Sequence, residues 1–139
     1  MKKLNFLILF IFISLISLSQ ENTVAIKAIP KNASVIYVKP VSFDSILSKL
    51  KIVGFTIKNL VKNSIVETKF KRLESGINTI SLHIRYYDST AEIIGTLYSY
   101  DDQNGRTDPL VKNSLLSKNA FNQMNAFALM LNGNITYEK

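Results

Sequence analysis

A single histidine, His83, no cysteine and ten acidic residues set narrow limits on the chemistry open to this 139-residue chain. Zinc sites are assembled from cysteine, histidine and carboxylate at short fixed spacings, and no HxxxH, HExxH or cysteine pair occurs. Any metal would have to be held mainly by carboxylates. Asp101-Asp102-Gln103-Asn104-Gly105 clusters oxygen ligands beside a glycine, but a calcium loop of the EF-hand kind requires alternating ligands and a glutamate at its twelfth position. That position is Lys112, so the segment reads as a strand-ending turn. Nucleophilic catalysis has no GxSxG elbow to work with. Ser81, the serine nearest His83, would stand two residues along the same strand, about 7 Å away at 3.3 Å per residue. The five glycines are scattered singly, which excludes a glycine-rich phosphate loop. Asp88 and Glu92 flank a hairpin tip, where charge is ordinarily solvated, and no pair of carboxylates is set up for acid–base work. No catalytic residue, metal or cofactor is implied.

A constellation suited to binding lies on alternate residues of three successive strands. Lys69, Lys71 and Arg85 supply cations, Tyr87, Tyr98 and Tyr100 supply flat amphipathic surface, and His83 stands among them facing Glu67. Interleaved aromatics and cations can stack on sugars, bases or peptide groups. The plainer alternative is an ordinary solvated sheet face, because tyrosine and threonine are good strand residues and because Glu67 and Glu92 interrupt the positive field. His83 with Glu67 is then a cross-strand hydrogen-bonded pair rather than a two-ligand metal site.

The elements that must position these residues follow from periodicity and punctuation. Val24, Ile26 and Ala28 alternate up to Pro30, and Val35 to Lys39 is a short strand ended by Pro40. Ser42 caps a helix with Asp44 in its first turn, Ile46, Leu47, Leu50 and Val53 on one stripe, and Gly54 as a left-handed stop. Phe55 to Asn59 is strand again. Glu74-Ser75-Gly76 then joins a strand from Ile65 to Leu73 with one from Ile77 to Asp88, and Ser89-Thr90 joins that to Ala91 through Tyr100. In this register Val66, Thr68 and Phe70 oppose Ile84, Leu82 and Ile80. Those oppose Gly95, Leu97 and Ser99, with Tyr86 opposite Ile93, and make one face apolar. Asp101 to Asp108 is a polar loop. A second helix from about Ser117 to Asn132 carries Ala120, Met124, Phe127, Ala128 and Leu131 on one stripe, with Gly133 as its stop. The expected fold is α+β, a four- to five-stranded antiparallel sheet with both helices packed on one face, in the order strand, helix, strands, helix.

That order resembles the TATA-binding-protein-like, or helix-grip, arrangement. Pro30-Lys31-Asn32-Ala33, Gly54-Phe55-Thr56-Ile57 and Ile65-Val66-Glu67-Thr68-Lys69 are also similar to segments of small exported bacterial proteins of unknown function with this layout. The resemblance implies a fold and an export route, and brings no catalytic or binding residues with it.

Export has its own signal at the start. Lys2 and Lys3 precede an apolar run from Leu4 to Leu18, with small residues at Ser17 and Ser19 before the polar Gln20-Glu21-Asn22. Fifteen helical residues span about 22 Å, short of the roughly 30 Å of a bilayer core, so residues 1–19 read as a cleaved secretory signal peptide. An uncleaved anchor is the alternative; a lipoprotein anchor is excluded for want of cysteine. Residues 20–139 form one domain. Losing Lys2 and Lys3 takes 17 basic residues to 15 against 10 acidic ones, so the net charge falls from +7 to +5. This favours weak attraction to anionic surfaces and specifies no partner. The sequence therefore describes an exported protein, periplasmic or secreted, soluble once cleaved, acting as a non-catalytic binding or envelope-associated module. An enzyme accessory or weak hydrolase around His83 is the alternative. An envelope protein, a glycan or an anionic surface are the partner classes this chemistry suits, whereas nucleic acid would demand more basicity.

Overall fold

Pro40 and Ser42 mark the step from the first strand into the first helix. In the computed structural model, which describes residues 28–73, 78–101, 104–113 and 117–139, strand β1 covers Val35–Lys39 and helix α1 Phe43–Ile52. The expected signal peptide, the alternation at Val24 and Ile26 and the Glu74-Ser75-Gly76 turn lie outside the described residues. The Ser42 hydroxyl accepts the Ser45 N–H at 3.2 Å, Asp44 meets the positive end of the helix dipole and Lys49 and Lys51 the negative end. Phe43, Ile46 and Leu50 are buried, and Gly54 ends the helix at φ +78°.

Then follow β2 (Ile57–Val61), β3 (Ile65–Thr68), β4 (Lys71–Arg72), β5 (Thr79–Tyr87), β6 (Thr90–Asp101), β7 (Asn104–Pro109), helix α2 (Lys118–Leu129) and β8 (Asn134–Glu138). The strands make one antiparallel sheet ordered β2-β3-β5-β6-β1-β8, with β4 also pairing β5 and β7 also pairing β6. The sheet thus has eight strands, not four to five. One extra strand comes from division of the expected Ile65–Leu73 strand into β3 and β4, and another from the Asp101–Asp108 segment, whose Asp, Gly and Pro content suggests a loop. It folds back as β7 instead, so that Thr96 through Asp101 pair with Pro109 through Asn104. As an outer strand it needs no apolar alternation, and Pro109 sits at its end, where a missing donor does least harm. β8 adds a further strand beside β1.

Both helices cover the same face. The Ile36, Val66, Ile80, Leu82, Ile84, Ile93 and Leu97 side chains share one core with Ile46 and Leu50 of α1 and Phe121, Met124 and Phe127 of α2. Gly95 lies directly beneath: a Cβ there would stand 2.2 Å from Leu110 Cδ1 and 2.9 Å from Met124 Sδ. At the end of α2 the left-handed residue is Asn132 (φ 58°), not Gly133. Gly133 is required for close approach instead, since a Cβ would meet the Pro40 carbonyl oxygen at 2.8 Å. Among the described residues no helix is long and apolar enough to cross a membrane.

Two departures in register decide where the candidate site residues go. The β5–β6 turn is Asp88-Ser89, at φ 46° and 57°, rather than Ser89-Thr90. Successive positive φ values make this a primed hairpin turn, which an aspartate at its first position tolerates. Pairing moves by two residues, to Ile84↔Ile93, Leu82↔Gly95, Ile80↔Leu97 and Tyr86↔Ala91, and every side chain keeps its face. The second departure is odd-numbered. Val66↔Ile84 and Glu67↔His83 pair as expected, but Lys71, not Phe70, stands opposite Ile80. One extra residue has entered between Thr68 and Lys71: the Leu82 N–H is taken by the Thr68 hydroxyl at 2.8 Å, while the Lys69 N–H continues the pairing with β2 by donating to Thr56 O at 2.8 Å. Such a bulge exchanges the faces of everything beyond it.

Candidate functional site

The sheet face left uncovered by the helices is ordered by strand pairing into transverse rows. One runs Val61, Ile65, Arg85, Glu92, Tyr37, Thr136, and the next Asn59, Glu67, His83, Ile94, Val35, Glu138. In the first row Glu92 is only 6 % exposed although it lies on the open face. Arg85, directly opposite, donates to its carboxylate, and that bond and charge raise the guanidinium pKa. The Tyr37 hydroxyl donates to Glu138 Oε2 at 3.1 Å. Burial first, then this hydrogen bond and the charge of Glu92, push Tyr37 up to about 12. Tyr87 is exposed and, with Tyr37, Lys39, Thr90 and Asn134, borders a shallow depression of about 700 Å³. Polar groups at the centre of this region bond to one another, an arrangement that holds strands together without calling for a ligand.

The bulge builds a different environment at the β2 end of the face. It turns Phe70, expected in the core, outward to 49 % exposure. Its ring packs against Tyr98, with centroids 5.6 Å apart and planes inclined by 53°. Tyr98 in turn lies over Gly105, where a Cβ would collide with its hydroxyl, as aromatic side chains cover strand glycines elsewhere. Lys58, Lys69, Phe70, His83 and Thr96 border a depression of about 290 Å³ together with Glu67. Both oxygens of Glu67 are engaged: Oε1 lies 3.2 Å from His83 Nδ1, and Oε2 accepts from Asn59 Nδ2 at 3.5 Å. Among the described residues Lys58 and Lys69 have no ion-pair partner.

The structure therefore divides the seven candidate site residues. Lys69, His83 and Tyr98 come together around Phe70, while Arg85 and Tyr87 belong to the self-paired region. Tyr100 pairs through its backbone with Gly105, and its side chain lies outside the described residues. Lys71 is not on this face. The bulge sends it to the helix side, where Nζ donates to the Val53 carbonyl at 2.6 Å and lies 5.1 Å from the Phe55 ring centroid. Sequence reasoning missed Lys58, Phe70, Tyr37 and the burial of Glu92. A signal for the bulge was nevertheless present: Val66 and Leu73 are both buried but stand seven residues apart, an odd separation that an unbroken strand cannot place on one face.

Among the described residues no three His, Cys, Asp or Glu side chains converge as metal ligands; Glu67 and His83 make only a pair. No protein-family profile, curated protein or solved structure matches the chain.

Proposed function

We propose that the chain is an exported, non-catalytic binding module of the cell envelope that engages its ligand through the open sheet face. One observation carries the reading: the bulge places Phe70 on that face, half-exposed against Tyr98 and beside two lysines that have no ion-pair partner among the described residues. Leaving an aromatic half-exposed forgoes roughly half of the ~1.5–3 kcal/mol of full burial, and bulges recur where a strand must re-aim a side chain for use. The short basic-apolar leader supports export, and among the described residues this face of the sheet is the one the two helices leave uncovered.

The test is co-sedimentation with isolated bacterial envelopes, using material released from cells expressing the full chain. Wild type should be retained, Phe70→Ala should lose most of the retention, and Ile52→Ala, which trims an exposed side chain of α1, should not. Equal retention of wild type and Phe70→Ala overturns the reading. N-terminal sequencing of the same material should begin at Gln20; a chain beginning at Met1 removes the cleavage step.

A further inference from the structure

We infer that the depression beside Phe70 is a subsite for one acidic sugar residue of an anionic glycan, an assignment that rests on the binding role just proposed and names its ligand class. Three properties select that ligand together. The first is aromatic surface: the Phe70 ring borders the depression half-exposed and is braced by Tyr98 at a tilt of 53°, and one exposed ring face can cover the C–H face of a sugar ring. The second is charge. Lys58 and Lys69 are exposed cations without ion-pair partners among the described residues, and the one carboxylate at the site, Glu67, is occupied by His83 and Asn59. A carboxylate on the ligand would find two ammonium groups against one acid, Glu67, whose oxygens are already turned to His83 and Asn59.

The third property is size and shape. At about 290 Å³ the depression falls at the lower limit of small-molecule sites, room for one ring rather than an oligomer. Because it is a groove in an open sheet face, a polymer can pass through it with neighbouring residues in solvent. Hydroxyls of Ser81 and Thr96 border it and supply donors and acceptors for ring hydroxyls. A neutral sugar would leave both lysines uncompensated, and a polyanion without rings would leave Phe70 unused. Only a ligand that is ring and anion at once uses both.

Calorimetric titration of the full chain's secreted product tests this with three probes: tetragalacturonate, maltotetraose as a neutral sugar, and poly-L-glutamate as a ringless polyanion. Tetragalacturonate should bind, with the other two at least about tenfold weaker. Phe70→Ala should weaken tetragalacturonate about tenfold while the chain stays folded by circular dichroism at the titration temperature, and Lys58→Gln with Lys69→Gln should abolish binding and its salt dependence. Equal binding of maltotetraose, or of poly-L-glutamate unaffected by Phe70→Ala, or no binding of tetragalacturonate, overturns the inference. If tetragalacturonate fails while Phe70→Ala still abolishes envelope retention, the ligand class is wrong and the binding role stands. If retention is also unchanged, both fall.

Discussion

Lys69 and Lys71 stand two residues apart in a strand, and without the bulge they would be equivalent. The structure makes them opposites, so alanine at each should have different consequences. Lys71 donates from Nζ to the Val53 carbonyl at 2.6 Å, satisfying a carbonyl at the C-terminal end of α1, and sits 5.1 Å from the Phe55 ring centroid. A hydrogen bond from a charged donor contributes about 1.5–3 kcal/mol and a cation over an aromatic ring about 0.5–1 kcal/mol. Fixing a long side chain costs up to about 2 kcal/mol. The difference leaves Lys71→Ala destabilising by roughly 1–2 kcal/mol, or about 4–8 °C in melting temperature at roughly 4 °C per kcal/mol. Lys69 is exposed and bonds through its backbone alone, so Lys69→Ala should stay within about 0.5 kcal/mol of wild type. Lys71→Met keeps the apolar stem and removes the donor, and should lose most of what alanine loses. Urea and thermal unfolding followed by circular dichroism give the numbers. Equal losses at 69 and 71 would refute the bulge and with it the outward position of Phe70.

Gly95→Ala should destabilise by about 1–3 kcal/mol through overpacking, because its Cβ would intrude on Leu110 and Met124; a double variant with Leu110→Ala should recover part of the loss in urea titrations. Thr68→Val should cost about 1–3 kcal/mol, since the Thr68 hydroxyl accepts the buried Leu82 N–H at 2.8 Å and valine leaves that donor unpaired; an unchanged urea midpoint would refute this bond. Tyr37 should make stability fall at high pH. Its pKa is about 12 folded against an ordinary 10.0, so the folded chain keeps a proton that the unfolded chain releases. That contribution is complete below pH 10 and is lost as pH rises towards 12. Urea midpoints measured across that window should decline less steeply for Tyr37→Phe than for wild type.

The helices were the most legible part of the fold because their signals are local. Ser42 and Gly54 bracket α1 through a side-chain cap and a left-handed residue, both local properties that require no partner. The apolar stripe of α2 similarly needs only its own spacing. Strands β7 and β8 were harder, since an outer strand is defined by the neighbour it pairs with rather than by its own composition. Asn104–Pro109 contains nothing apolar, and its pairing with β6 supplies all the evidence that it is extended. Glu92 was unreadable for a related reason. Its place on the open face follows from alternation, but its burial depends on Arg85 arriving from β5, a contact between strands that one-dimensional pattern does not contain.

For the candidate site, the size of a register error mattered less than its parity. Misplacing the β5–β6 turn moved the pairing of two long strands by two residues, yet His83, Arg85, Tyr87 and Tyr98 all stayed on the face expected of them, because strand side chains repeat every two residues. The bulge involved one residue in a far shorter stretch and exchanged Phe70 for Lys71. An open face bearing three cations and three tyrosines became one with an exposed phenylalanine between Lys69 and the Tyr98 ring, while Lys71 went to close the end of α1. In the binding role proposed above, that exchange shifts the surface from general polyanion attraction towards ring recognition combined with charge. It also joins stability and the proposed recognition surface in a single backbone irregularity: sliding the chain beyond Thr68 by one residue into unbroken pairing, with nothing deleted, would put Phe70 opposite Ile80 in the core and remove Lys71 from Val53, altering both together.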